Sequence, residues 1–248
     1  MNPQRSALIL AAGYGSRISD VTTDPKTLLR IKEKTLMDWH FAALKDAGVQ
    51  RVVVVTGYKR ELLEAHLSKF KNDFDLQFAV NDDYRVKGNT YSLLYGLEKT
   101  LGDFLLFDGD LIYDAEILNN FIKDPTPNQI LVGESSIDDI ECTKTMIDKD
   151  GVVRMFIDKR SVSDEELKRF TFAGEAMGIL KFSKHYRDEM LLACERFLQQ
   201  EKNISKNWEY VMNEFLLSHD MFVHRTGSDR WVEIDNKEDL EKAKRLFG

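Results

Sequence analysis

Two glycines, an arginine and a lysine stand close together near the start of the chain. Gly13-Tyr14-Gly15-Ser16-Arg17 follows directly on the apolar run Ala7-Leu8-Ile9-Leu10-Ala11-Ala12, and Lys26, behind Pro25, comes nine residues after Arg17. Glycines let backbone N–H groups approach oxyanions with no Cβ in the way. A guanidinium offers a fork of donors that matches phosphate oxygens. Pro25 stiffens the backbone that aims the Lys26 ammonium. A strand that opens into such a loop is suited to a polyphosphate. It is neither of the two common phosphate motifs. Position 18 is Ile where a dinucleotide fingerprint needs its third glycine, and no Gly-Lys-Ser/Thr occurs.

Carboxylates that could hold a hard cation beside that polyphosphate occur in two places. Asp108-Gly109-Asp110 ends the apolar run Phe104–Phe107, and Asp235 lies in Glu233-Ile234-Asp235-Asn236. Each has a plain structural alternative. Asp-Gly-Asp is a common solvated turn, and Asp235 or Asn236 could cap the helix that follows. Mg²⁺ on phosphates takes one or two protein carboxylates, which a pair from these two segments would satisfy. Glu233 points the same way as Asp235 in an extended chain and is the reserve candidate.

The string Leu10-Ala11-Ala12-Gly13-x-Gly15-Ser16-Arg17, a spacer, then Pro25-Lys26 resembles the signature of the nucleoside triphosphate transferase superfamily, the sugar-nucleotide pyrophosphorylases and cytidylyltransferases. The resemblance extends along the chain. Asp108-Gly-Asp110 is similar to the family's aspartate at a strand end. The segment 231–243 is similar to its C-terminal metal aspartate and last helix. The segments 80–84, 89–93 and 208–215 are similar to the phosphocholine cytidylyltransferase branch. The resemblance implies Mg²⁺ on Asp110 and Asp235, Lys26 and Arg17 on the phosphates during transfer, and residues 10–13, 15 and 16 around the nucleotide. Lys159, at the end of a strand, is carried over to the acceptor phosphate; an exposed strand-end lysine is the alternative.

The implied reaction is attack of an acceptor phosphate or phosphonate on the α-phosphorus of CTP, with release of pyrophosphate. The base is expected near Asn81, Gly88 and Asn89, with Tyr58 as a stacking partner. Glu209, flanked by Trp208 and Tyr210, is the acceptor clue, joined by Asp108 and Glu175. Choline would want aromatic faces, a primary amine carboxylates, and the aromatics could equally serve helix packing. A sugar- or polyol-phosphate nucleotidylyltransferase and a non-catalytic nucleotide-binding regulator are the rival readings.

Short apolar runs at 7–11, 52–56, 76–80, 103–107 and 129–133 read as buried strands. Between them, 35–49, 59–70 and 89–100 carry helical spacing. In 59–70 the inward face is read as Leu62, Leu63, His66 and Phe70, and Asn89 is read as the cap of the 89–100 helix. Residues 144–159 form a hairpin around Asp-Lys-Asp-Gly, followed by a strand at 174–183, helices at 186–200 and 208–219, a strand at 222–226 and a last helix from about Asp239. The fold class expected is α/β: a single Rossmann-like nucleotidyltransferase domain over 1–248. Its mixed, mostly parallel sheet is flanked by helices, with a hairpin-containing acceptor lobe at roughly 134–230.

Composition adds exclusions. The chain has 248 residues and a net charge of −7, which disfavours a general nucleic-acid surface. Cys142 and Cys194 lack metal-ligand spacing and read as free thiols. No apolar run is long enough to span a membrane. A cytoplasmic enzyme is expected; a homodimer is left open.

Overall fold

The computed structural model describes residues 5–248. In chain order the strands are β1 (Arg5–Leu10), β2 (Arg30–Ile31), β3 (Lys34–Thr35), β4 (Arg51–Thr56), β5 (Asp75–Val80), β6 (Asp103–Asp108), β7 (Leu111–Tyr113), β8 (Gln129–Gly133), β9 (Lys144–Ile147), β10 (Val153–Ile157), β11 (Thr171–Phe182), β12 (Phe222–Arg225) and β13 (Trp231–Glu233). The helices are α1 (Leu36–Asp46), α2 (Arg60–Leu67), α3 (Asn89–Leu97), α4 (Ala115–Lys123), α5 (Asp164–Arg169), α6 (Lys184–Leu198), α7 (Trp208–Phe215) and α8 (Lys237–Phe247).

Strands β5, β4, β1 and β6 lie side by side and parallel, as continuous apolar runs buried on both faces require. Alternation along β1 divides the core. Leu8 and Leu10 pack with Leu93 of α3, Phe197 of α6 and Met212 of α7. Ala7 and Ile9 face Phe41 of α1, Leu63 of α2 and Leu118 of α4. Beyond β6 the sheet turns antiparallel through β11, which pairs with β9 by its first residues, with β6 by its last and with β8 on the other edge. Gly174 and Gly178, at φ +148° and +73°, allow the bends that this change of neighbours needs.

The chain runs outward from β1 through β4 to β5, then crosses back by α3 to place β6 on the other side of β1. Order therefore reverses between β1 and β6, with Leu10 opposite Asp108. Open α/β sheets bind ligands at such a switch point. A two-stranded ribbon, β7 with β13, then folds over it and sets Leu111 opposite Glu233, while Ile234 N–H donates to the Asp110 carbonyl. A third apolar cluster, with Ile112, Val232, Ile234 and Leu240, anchors this ribbon.

The strands, hairpin and fold class expected from the sequence are present. Four local readings change. The helix α4 and the short α5 carry no expectation above. β11 begins before the 174–183 run because Thr171 and Phe172 pair with β9 of the hairpin. Leu62 is 46% exposed, because the buried face of α2 is Leu63 and Leu67. Finally, Gly88 precedes α3 as its cap residue and Asn89 does not cap it; the Asn89 side chain instead accepts from Trp208 N–H at 2.6 Å, at the start of α7. Both cysteines are free and buried. Among the described residues no helix is long and apolar enough to cross a membrane.

Gly133 ends β8 under the Trp231 indole, and a Cβ there would lie 2.2 Å from the ring. Trp231 starts the strand that carries Glu233. Gly133→Ala is expected to cost about 1–3 kcal/mol through overpacking, seen as a lower denaturant midpoint with unchanged slope; an unchanged midpoint would show that the ribbon yields freely.

Candidate active site

The loop after β1 runs across the switch point. Gly15 takes φ +66° and its Cβ position lies 3.2 Å from Lys26 Cβ, so only glycine fits comfortably between the loop and Lys26. Gly13 differs: a Cβ there would meet nothing within 4 Å. Packing does not exclude a side chain at Gly13; the open space beside it is room for a ligand. Leu10, Ala11, Ala12, Gly13 and Gly15 line one small cavity with Lys26 and the Asp108–Asp110 turn.

Lys26 sits in a short 3₁₀ turn, Lys26–Leu28, begun by Pro25. Its Nζ donates to Asp110 Oδ2 at 2.7 Å and to Asp235 Oδ1 at 2.9 Å. The other oxygen of Asp235 meets Arg17 Nη2 at 2.7 Å and Lys159 Nζ at 3.0 Å. One carboxylate therefore holds three cations from three distant segments. Lys159 reaches it from a left-handed backbone, φ +44°, a strained conformation for a side chain other than glycine and one that clusters at functional sites. Burial pulls Lys26 down, but Asp110 and Asp235 outweigh it and hold the ammonium above its usual range. Burial alone would raise Asp235; Lys26 and Lys159 reverse this and keep it well below the usual carboxylate range.

Asp235 is free for this role because its neighbour takes the other one. Asn236 caps α8, accepting from Asp239 N–H, while Asp239 accepts from the N–H groups of Asp235 and Asn236. Asp110, Glu233 and Asp235 each offer an oxygen within 4.8 Å of the others'. Asp110 Oδ1 is buried and has no hydrogen-bond partner. Three hard oxygen donors, one of them unsatisfied, suit Mg²⁺. Burial, with Asp110 and Asp235 beside it, pushes Glu233 up to about 8.

A cavity of about 250 Å³ adjoins this cluster. Ser16, Arg17, Lys26 and Lys159 line it, and Asp108, Asp158 and Glu209 add carboxylates to its wall. Glu209, on the first turn of α7, is 9% exposed, and its Oε2 has no partner. Burial, then Asp158, push it up to about 8. Asp108 is likewise raised, by burial and by Asp110, Glu209 and Glu233. Trp208 is 1% exposed, meets Phe156 edge-on and donates its Nε1–H to Asp108. Its place is in the packing, and its face is not open to a cation.

Other sequence candidates fall elsewhere. Glu175 lines a second cavity, of about 630 Å³, on the far side of Lys159 and Asp235. Asn89 reaches both smaller cavities, with its carbonyl committed to Trp208. Asn81 is buried and donates to Ser92 Oγ at 3.1 Å. Tyr58 donates its hydroxyl to Thr23 O and packs edge-on to Tyr14. The close approach at Gly88 is to the chain itself, since a Cβ would lie 2.3 Å from the Lys206 carbonyl. Tyr58, Asn81 and Gly88 line none of these three cavities. Asp158 escaped the sequence reading; its only signal is an acid directly before Lys159.

Residues 7–201 match the family model of the MobA-like NTP transferase domain. The chain is 26% identical to the CTP:phosphoglutamine cytidylyltransferase of Campylobacter jejuni, over 95% of this chain and 98% of that one. It is also 26% identical to the choline-phosphate cytidylyltransferase of Haemophilus influenzae, over 94% of each. The solved CTP:phosphocholine cytidylyltransferase of Streptococcus pneumoniae shares the fold at a TM-score of 0.76 and 20% identity, covering 99% of this chain and 100% of that one.

A carboxylic acid whose folded value lies near 8 against 4.5 unfolded retains a proton that the unfolded chain has released. Stability therefore falls as pH rises from about 4.5 to 8. Glu209→Gln removes that loss, and is expected to be more stable than the parent by about 1–3 kcal/mol on the alkaline side. Equal unfolding midpoints across the window would mean that Glu209 is solvated.

Proposed function

The chain belongs to the MobA-like NTP transferase domain family, and from that premise we propose a Mg²⁺-dependent cytidylyltransferase whose acceptor is a small phosphate or phosphonate carrying a primary amine. One observation carries the reading: a single cavity is lined both by the cations Arg17, Lys26 and Lys159 and by the buried Glu209, whose Oε2 has no partner. The choice of CTP is supported by the cytidylyltransferases to which the chain is similar.

In this reaction an acceptor oxygen forms a bond to the α-phosphorus as the bond from that phosphorus to the bridging oxygen of the β-phosphate breaks. Pyrophosphate leaves with the electron pair. The acceptor is already an anion, so no general base is required. Catalysis is the work of bringing anions together and spreading charge. Arg17, Lys26 and the N–H groups of the Gly13–Ser16 loop hold the triphosphate. Lys159 meets the acceptor phosphate. Asp110, Glu233 and Asp235 would hold the metal, which when bound supplies further positive charge to the phosphates.

The amine follows from the acids. A buried carboxylate without a partner is costly, and an incoming ammonium offsets that cost by donating to it. A quaternary ammonium has no N–H to donate and relies on aromatic faces, and Trp208, the aromatic residue lining this cavity, presents its N–H to Asp108. A primary amine is therefore favoured over choline.

With CTP and Mg²⁺, 2-aminoethylphosphonate is expected to release pyrophosphate with kcat/KM at least about tenfold above phosphocholine, a difference of 1.4 kcal/mol. Preference for a sugar or polyol phosphate would overturn the acceptor assignment. Asp110→Asn is expected to lower kcat by about 10²-fold or more with the fold intact, and unchanged turnover would remove Asp110 from the chemistry.

A further inference from the structure

Lys26 stands between Asp110 and Asp235, donating to one oxygen of each. These are two of the three acids that would hold a divalent ion. We infer that Lys26 is a place-holder in the metal site, so that the divalent ion and the triphosphate enter as a linked pair and the ion alone binds poorly. This rests on the three acids being the metal site of the proposed enzyme.

Formal charge points the same way. Asp110 and Asp235 carry two negative charges and Glu233 at most a third; Lys26, Arg17 and Lys159, all within 3.0 Å of Asp110 or Asp235 oxygens, carry three positive ones. Neutralised already, the cluster gains two uncompensated charges if an ion enters by itself, close to three cations in a partly buried site where screening is weak. A triphosphate by itself adds a like problem of opposite sign. Together the two largely cancel. The triphosphate gives Lys26 and Arg17 new oxygens, and in leaving the carboxylates they open Asp110 Oδ2 and Asp235 Oδ1, while Asp235 Oδ2 keeps Lys159 alone. The unpartnered Asp110 Oδ1 and the Glu233 carboxylate, which is paired with none of the three cations, are the positions an ion can take with no cation displaced. The coupling is reciprocal: whatever factor the nucleotide adds to ion affinity, the ion adds to nucleotide affinity.

Mn²⁺ binding, read from the free-ion electron paramagnetic resonance signal, tests this without turnover. For the parent protein, a non-hydrolysable CTP analogue is expected to tighten Mn²⁺ binding by about 10- to 100-fold, after correction for binding to the analogue itself. Lys26→Met is expected to tighten binding of Mn²⁺ alone by about tenfold and to shrink the coupling. The inference is overturned if the parent binds lone Mn²⁺ as tightly as with the analogue. It is also overturned if Lys26→Met binds lone Mn²⁺ no better than the parent while Asp110→Asn abolishes binding. If Asp110→Asn leaves Mn²⁺ binding of the Lys26→Met protein unchanged, the acids are not the metal site and the functional reading fails with it. The comparison within the parent protein stands even if Lys26→Met folds poorly.

Discussion

The Asp235 carboxylate is the point on which the site depends. Arg17 from the first loop, Lys26 from the turn after it and Lys159 from the end of the hairpin all reach this one group. A single negative charge cannot satisfy three cations in partly buried surroundings, and Asp110 beside it shares Lys26. The same fact makes the arrangement unsuited to mere stability. Three mobile cations packed on acids with an orphaned oxygen are an assembly prepared to exchange partners, and a triphosphate with its metal offers that exchange.

The scaffold that brings these groups together is a short ribbon laid over a switch point. The β1–β6 reversal puts the glycine loop beside the Asp108–Asp110 turn by backbone pairing alone. The β7–β13 pair then delivers Glu233 and Asp235 from the far end of the chain, its own apolar residues buried in a small third cluster. Beside these acids, α7 delivers Glu209 and the end of the hairpin delivers Asp158 and Lys159. Burial, with acids close by, raises both Asp108 and Glu209, and Glu209 Oε2 is left without a partner. Burying such a group costs stability, and a ligand that donates to it recovers the loss on binding.

Much of this was legible in the sequence, for identifiable reasons. Strands buried on both faces are continuous apolar runs, so β1, β4, β5, β6 and β8 stand out, and the glycines around Arg17 and Lys26 single out the loop that lines two of the cavities. Asp110 and Asp235 were recognisable through resemblance, and parity of an extended chain placed Glu233 with Asp235. Three-residue strands have no periodicity to detect, so the β7–β13 pairing that unites the acids was hidden. Asn89 misled because a good capping residue can serve another helix, and here it serves α7. Gly88 and Trp208 misled in a similar way: residue type speaks of close approach or an aromatic surface, and only packing says that the neighbour is the chain itself. Asp158 had no local signal, since its meaning comes from Glu209 across the cavity.

The central claim is that the loop cations and the distant acids serve one triphosphate–metal complex. The most direct test is a crystal structure with Mn²⁺ and a non-hydrolysable CTP analogue, the ion located by its anomalous scattering. The account predicts a peak coordinated by Asp110 and Asp235 and by the analogue's phosphates, with Lys26 and Arg17 moved from the carboxylates onto those phosphates. An ion bound away from both acids, or Lys26 still paired with Asp110 and Asp235 in the fully loaded protein, would contradict it.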